Sequence, residues 1–145
     1  MKLTLTQSPD YTEPEIDIRY AEMEPKLQKA IDLLREDNQF LNVRSDNGTN
    51  KRIRPDSILY FESVDEKTFV YSSAEVFSSD KKLYELEEQF KDSSFVRISK
   101  ACILNIDHLD SVKVLINGRL EAKLLNGEKL IINRHYVSAF KKKLG

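Results

Sequence analysis

The chain of 145 residues holds one cysteine, two histidines, four glycines and four prolines, and each scarcity removes a class of function. A single cysteine, Cys102, excludes an internal disulfide and any metal cage built from several thiolates. His108 and His135 stand without an HxxxH or HxH spacing, so no zinc-type ligand set is visible either. Three of the four glycines fall in Asn47-Gly48, Asn117-Gly118 and Asn126-Gly127, which commits them to turns and leaves no phosphate-cradling loop. Long apolar runs are missing too. Pieces such as Ile58-Leu59-Tyr60-Phe61 fall far short of the roughly 18 residues a membrane helix needs. Met1–Gln7 alternates polar and apolar residues and lacks a signal-peptide core. The expected location is cytoplasmic. No cofactor, no metal and no small-molecule substrate is expected, and no enzymatic activity.

What is present is charge, unevenly spread. The whole chain sums to −1, which on its face opposes a nucleic-acid partner. Residues 1–90 carry 12 Lys and Arg against 19 Asp and Glu, a net of −7, whereas residues 91–145 carry 11 against 5, a net of +6. Such asymmetry is one sign of an anionic partner for the basic end.

Hydrophobic patterning gives a β-rich chain. Asn-Gly suits the positive-φ positions of a type I′ turn, and each pair here is flanked by alternating apolar residues, so three hairpins are expected. Strands are expected at Phe40–Arg44, Ile58–Val64, Phe69–Ser72, Glu75–Phe77, Phe95–Ile98, Val112–Ile116, Leu120–Leu124 and Lys129–Ile132. In the N-terminal piece, Leu3–Thr6 and Glu15–Tyr20 also alternate. Three helices follow from spacing: Leu27, Ala30, Ile31 and Leu34; Leu83, Leu86 and Phe90 behind N-cap candidates Ser78, Ser79 and Asp80; and Val137, Phe140 and Leu144 behind Asn133. A boundary is expected near residues 36–38, giving a small β-β-α extension over 1–37 and a β-rich α+β domain over 38–145.

Few residues offer chemistry. Cys102 lies in Ala101-Cys102-Ile103-Leu104 and reads as a core thiol. Asp107-His108 reads as a short capped turn. Two basic residues conflict with local rules. Val96, Ile98, Cys102, Leu104 and Ile106 keep an inward register that Lys100 interrupts, and a buried lysine would lose its hydration, so the chain is expected to turn at Ser99-Lys100-Ala101 with Lys100 in solvent. An ordinary turn lysine and a phosphate or base-edge contact are both open there. Arg134-His135 follows the expected N-cap Asn133, where cations oppose the helix dipole but exposed N–H groups favour an anion. Lys141, Lys142 and Lys143 fall in the last turn, where the dipole accounts for them. Lys51-Arg52-Ile53-Arg54 should place Lys51 and Ile53 on one strand face and the two arginines on the other.

The order of Ile58-Leu59-Tyr60-Phe61-Glu62-Ser63, Leu83-Tyr84-Glu85-Leu86-Glu87, Phe95-Val96-Arg97-Ile98-Ser99-Lys100 with Asn105, Asn126-Gly127 and Asn133-Arg134-His135-Tyr136 resembles the LytTR family of bacterial transcription regulators over about residues 38–145. The resemblance implies an elongated fold of antiparallel sheets with short helices that binds double-stranded DNA through loops and a helix N-terminus. It implies paired direct repeats as sites, each read by one domain, and a homodimer on DNA. It places the DNA-reading positions on Thr68, in the turn after the Glu62-Ser63 strand, on Lys100 and on Arg134, with Lys67, Ser99 and His135 as neighbouring contacts. Ser99 and Ala101 depart from the histidine and serine common at those places. Only about 37 residues precede the domain, too few for the receiver usual upstream, so a stand-alone regulator is expected. The rival reading is a β-rich interaction module whose acidic half binds a regulatory partner, such as a membrane protein.

Overall fold

The computed structural model describes residues 1–34 and 40–145. The expected boundary at residues 36–38 lies outside the described residues. The chain divides into two compact units, residues 1–35 and 36–145.

The first unit contains one helix, α1 (Pro25–Leu34), opened by proline where the missing N–H is harmless. Its apolar stripe is thinly covered: Leu27 and Ile31 are half-buried and Leu34 is exposed. Leu3–Thr6 and Glu15–Tyr20 are not strands, which corrects the β-β-α expectation. Alternation is satisfied there but burial is not, since Leu3 and Leu5 are 82% and 84% exposed. An isolated pair of strands with no layer over its apolar face is marginal at best.

Among the described residues, the second unit is built from ten strands and two α-helices. They run β1 (Leu41–Arg44), β2 (Asn50–Ile53), β3 (Ile58–Val64), β4 (Lys67–Ser72), β5 (Val76–Ser79), α2 (Leu83–Gln89), β6 (Phe95–Ser99), β7 (Cys102–Asn105), β8 (Leu109–Val114), β9 (Leu120–Leu124), β10 (Lys129–Ile132) and α3 (Val137–Leu144). Seven strands form one antiparallel sheet in the order β2-β1-β5-β4-β3-β7-β6, and three form a second in the order β10-β9-β8. Each Asn-Gly pair closes a hairpin, but the turn chemistry differs from expectation. At Asn47-Gly48 and Asn126-Gly127 only the glycine has positive φ, and only Asn117-Gly118 places both residues there. Outside the Asn-Gly pairs, Asp65-Glu66 between β3 and β4 is a two-residue turn with positive φ at both positions.

Both faces of the large sheet are covered, and the sequence of β3 shows why. Its continuous run Ile58-Leu59-Tyr60-Phe61 lacks alternation because each face needs apolar side chains. A register shift between Ile58 and Tyr60 sends Leu59 and Tyr60 to the same side. Ile58 and Phe61 enter a first core with Val70, Phe77, Phe95 and Ile103, capped by Leu83, Leu86 and Phe90 around α2. Leu59, Tyr60, Val96, Ile98 and Leu104 enter a second core with Leu120, Ala122, Leu124 and Ile132 of the small sheet and Phe140 of α3. Lys143 anchors that helix, donating from Nζ to the Lys91 carbonyl at 2.7 Å. The helix α2 is preceded by Lys82, not by the expected caps: Ser78 and Ser79 belong to β5, and Ser79 Oγ accepts from the Lys81 N–H instead.

Between the cores lies one fully buried polar side chain. Asn105 donates from Nδ2 to the Ile58 carbonyl at 2.8 Å, while its Oδ1 accepts from the Asp107 N–H at 3.1 Å and from Ser94 Oγ at 2.6 Å. It joins the start of β3, the lead into β6 and the turn after β7. Asn105→Ala strands those partners, and each buried group left unpaired costs about 1–3 kcal/mol. The unfolding free energy is expected to fall by that amount, read as a lower urea midpoint with an unchanged m-value; an unchanged midpoint would show that the amide is dispensable.

Candidate nucleic-acid interface

Three turns carry the basic residues singled out above. The first joins β3 to β4. Because Asp65 (φ 50°) and Glu66 (φ 65°) complete the reversal, Lys67 already pairs with Val64. Lys67 is exposed, but the next residue is not: Thr68 is 3% exposed and lies in β4, on the face that Val70 turns into the first core. This corrects its placement in the turn. A two-residue reversal starts the ladder early, and the period of two then sends Thr68 inward. Lys82 Nζ donates to the Glu66 carbonyl at 3.1 Å.

The second turn joins β6 to β7. Ser99 pairs with Cys102, so Lys100 and Ala101 form the reversal and Lys100 stands in solvent, as its conflict with the strand register requires. Ser99 is half-buried and its Oγ accepts from the Ala101 N–H at 3.2 Å. The Arg97 guanidinium folds over the same turn, with Nε donating to the Ser99 carbonyl at 2.7 Å and Nη2 to the Lys100 carbonyl.

The third is the turn into α3. Arg134–Tyr136 form a short 3-10 turn, and α3 begins only at Val137, so Arg134 precedes the helix by a turn instead of occupying its first position. Asn133 opens that turn with extended backbone and no side-chain cap. Arg134 and His135 are both exposed. The aliphatic stem of Arg134 lies over Gly118 of the β8–β9 turn, where an added Cβ would come within 3.2 Å of its Cγ and Cδ.

Two backbone hydrogen bonds gather these turns. The Ser63 N–H donates to the Ala101 carbonyl at 2.8 Å, placing the end of β3 beside the Lys100 turn. The Asn133 N–H donates to the Ile98 carbonyl at 2.9 Å, placing Arg134 beside the same turn. Lys67, Lys100 and Arg134 are thus brought to one region from sequence positions far apart. None of the three has a side-chain hydrogen bond or ion pair to another described residue. Other cations do: Arg44 pairs with Asp80 at 3.2 Å, Lys51 with Glu75 at 3.1 Å, and Arg52 and Arg54 both lie over the Phe40 ring, as their shared strand face requires.

The buried titratable groups are poor reactants. Burial first, and the Glu62 carboxylate second, push the Cys102 thiol up to about 12, with Arg97 opposing. Burial and a hydrogen bond to Glu128 raise Tyr60, which stacks on Tyr71 with ring centroids 4.3 Å apart. Tyr71 is raised by burial and by its bond to Glu62. Among the described residues no group of three His, Cys, Asp or Glu is placed to hold a metal ion.

The sequence profile of the LytTr DNA-binding domain matches residues 48–145. The chain belongs to the LytTR family. Its fold agrees with a LytTr DNA-binding domain from Bacillus cereus at a TM-score of 0.69 and 23% identity, over 74% of this chain and 97% of that one. The chain is 29% identical over 126 residues to the sensory transduction protein LytT of Enterococcus faecalis, covering 86% of this chain and 47% of that protein. It spans about half the length of LytT or less of such relatives, with 36% of a Staphylococcus haemolyticus LytR covered at 26% identity. An uncharacterized HTH-type transcriptional regulator of Staphylococcus aureus is 26% identical over 145 residues, 99% of this chain and 98% of its own length.

In this LytTR chain, sequence reasoning missed the work of Arg97, Lys82 and Gly118. The first two look like any other exposed cations until their carbonyl partners are known, and Gly118 reads only as a turn residue. Gly118→Ala must strain a φ of +75° and push the Arg134 stem aside. A loss of about 1–2 kcal/mol is expected from the left-handed backbone, read as a lowered midpoint in thermal unfolding. Retained stability would show that the turn relaxes.

Proposed function

We propose that this chain is a cytoplasmic, sequence-specific DNA-binding transcription regulator that reads paired direct repeats, one domain per repeat. The observation that carries this reading is the convergence of three cations without a partner among the described residues, Lys67, Lys100 and Arg134, on turns gathered by the Ser63–Ala101 and Asn133–Ile98 hydrogen bonds. Arg134 offers a planar fork suited to the O6/N7 edge of guanine or to a phosphate. Lys100 reaches a base edge or an adjoining phosphate. Lys67, Ser99 and His135 supply neighbouring contacts, and Thr68, being buried, supports the β3–β4 turn from within. Two copies on a repeated site gain affinity through linked binding, which favours a homodimer on DNA. Among the described residues no helix is long and apolar enough to cross a membrane.

A second reading concerns the first unit alone. Leu3, Leu5, Ile16 and Leu33 are all exposed there, and such uncovered apolar side chains favour a protein partner, a membrane regulator or a second copy among them. Pull-down with residues 1–35 deleted from the chain separates this role from DNA binding.

Binding to the chain's own promoter region across a salt series tests the main reading. Log affinity should fall linearly with log salt, by about 0.9 for each phosphate neutralised. A flat response, or equal affinity for scrambled DNA, would sink the proposal. Arg134→Ala should cost about 1–3 kcal/mol and relax preference at one base position; an even loss over all sequences would make Arg134 a phosphate contact instead. Lys142→Ala, at the dipole-favoured end of α3, should change little.

A further inference from the structure

The short helix α2 lies behind two of the three turns and touches both through charged side chains. Before its first turn, Lys82 donates from Nζ to the Glu66 carbonyl at 3.1 Å. Near its other end, Glu87 Oε1 lies 3.5 Å from Arg97 Nη1, while the remaining nitrogens of that guanidinium hold the carbonyls of Ser99 and Lys100. Helix α2 is itself fixed, since Leu83 and Leu86 are buried in the first core.

Both turns need such support. Asp65 and Glu66 occupy the left-handed region, which L side chains enter at a cost and which Asn-Gly would enter easily. Strain of this kind persists where surrounding groups over-determine it. At the second turn, the register shift between Arg97 and Ser99 interrupts the ladder, and the Arg97 side chain takes up two of the carbonyls at the reversal. Three of the five N–H donors of this guanidinium are committed to two carbonyls and a carboxylate, which fixes its plane against the turn.

We propose that α2, through Lys82 and Glu87, sets the geometry of both DNA-reading turns, so that Lys82 and Arg97 are positioning residues that do not themselves touch DNA. The proposal rests on the DNA-binding reading above.

The full chain is first used to select from a pool of random-sequence duplexes. The enriched duplex then serves as specific probe and its scrambled version as reference. Arg97→Ala is expected to lower discrimination between the two roughly ten-fold, the order of one good base contact, with an unchanged salt slope. Lys100→Ala should flatten that slope if it neutralises a phosphate, by about 0.9. Glu87→Gln, on an exposed residue and so safe for folding, should lower discrimination in the same direction. Lys82→Met should do so too, but should lose nothing further when Asp65→Asn and Glu66→Gly let the turn form unaided. A fall in salt slope for Arg97→Ala with base preferences intact would overturn the proposal. So would tighter binding of Glu87→Gln to both duplexes, the mark of an arginine released toward phosphate. If the unaltered chain enriches no sequence, the DNA-binding reading itself fails; if it enriches one and the variants behave as in the overturning cases, only the role of α2 fails.

Discussion

The hydrogen bond from the Asn133 N–H to the Ile98 carbonyl fixes how the two sheets present their turns. Apolar packing between them is extensive, with Val96 and Ile98 of β6 meeting Ile132 and Phe140 in one core. Burial is nondirectional, however, and would tolerate a slide of one sheet over the other. A backbone bond contributes only about 0.5–1.5 kcal/mol net, far less than the core it borders, but it has a direction and a register. It sets Arg134 one residue from a strand whose own end carries Lys100. The buried amide of Asn105 does the same at the other end of β7, choosing one arrangement among several that the apolar side chains would accept.

This division between packing and direction also decides what the sequence could reveal. Strands at Ile58–Val64, Leu120–Leu124 and Lys129–Ile132 fall where patterning placed them, because covered faces leave a periodic trace. The solvent position of Lys100 was legible for the same reason, as a charge that broke an otherwise apolar register. Leu3–Thr6 has the same alternation and is no strand: pattern records that a face could be buried, not that a partner exists to bury it. Thr68 was misplaced because Asp65-Glu66 lacks the glycine that announces a two-residue reversal. The partners of Arg97 and Lys82 are backbone carbonyls, which every residue possesses, so no spacing of residue types could have marked them.

Charge follows a similar course. The whole-chain balance of −1 is uninformative because it counts alike the cations that have internal tasks and those that have none. Arg44, Lys51 and Arg97 face carboxylates, Lys82 and Lys143 face carbonyls, and Arg52 and Arg54 share one aromatic ring. Counting Lys and Arg overstates the charge available to a partner. Among the described residues others, such as Lys113, Arg119, Lys123 and Lys129, remain uncommitted, and Lys67, Lys100 and Arg134 belong with them.

A face on which only Lys67, Lys100 and Arg134 converge gains little from general attraction to phosphate, since non-specific affinity scales with the number of phosphates neutralised. In the proposed reading, discrimination then depends on holding each side chain at the right place before DNA arrives, because ordering a turn on binding would consume part of a small interaction energy. The left-handed Asp65-Glu66 pair and the guanidinium-capped Ser99-Lys100 reversal both fit that requirement: each is a turn fixed by the folded domain itself. Internal charge that holds geometry and external charge left free for the proposed contacts are, in this chain, complementary uses of the same residue types.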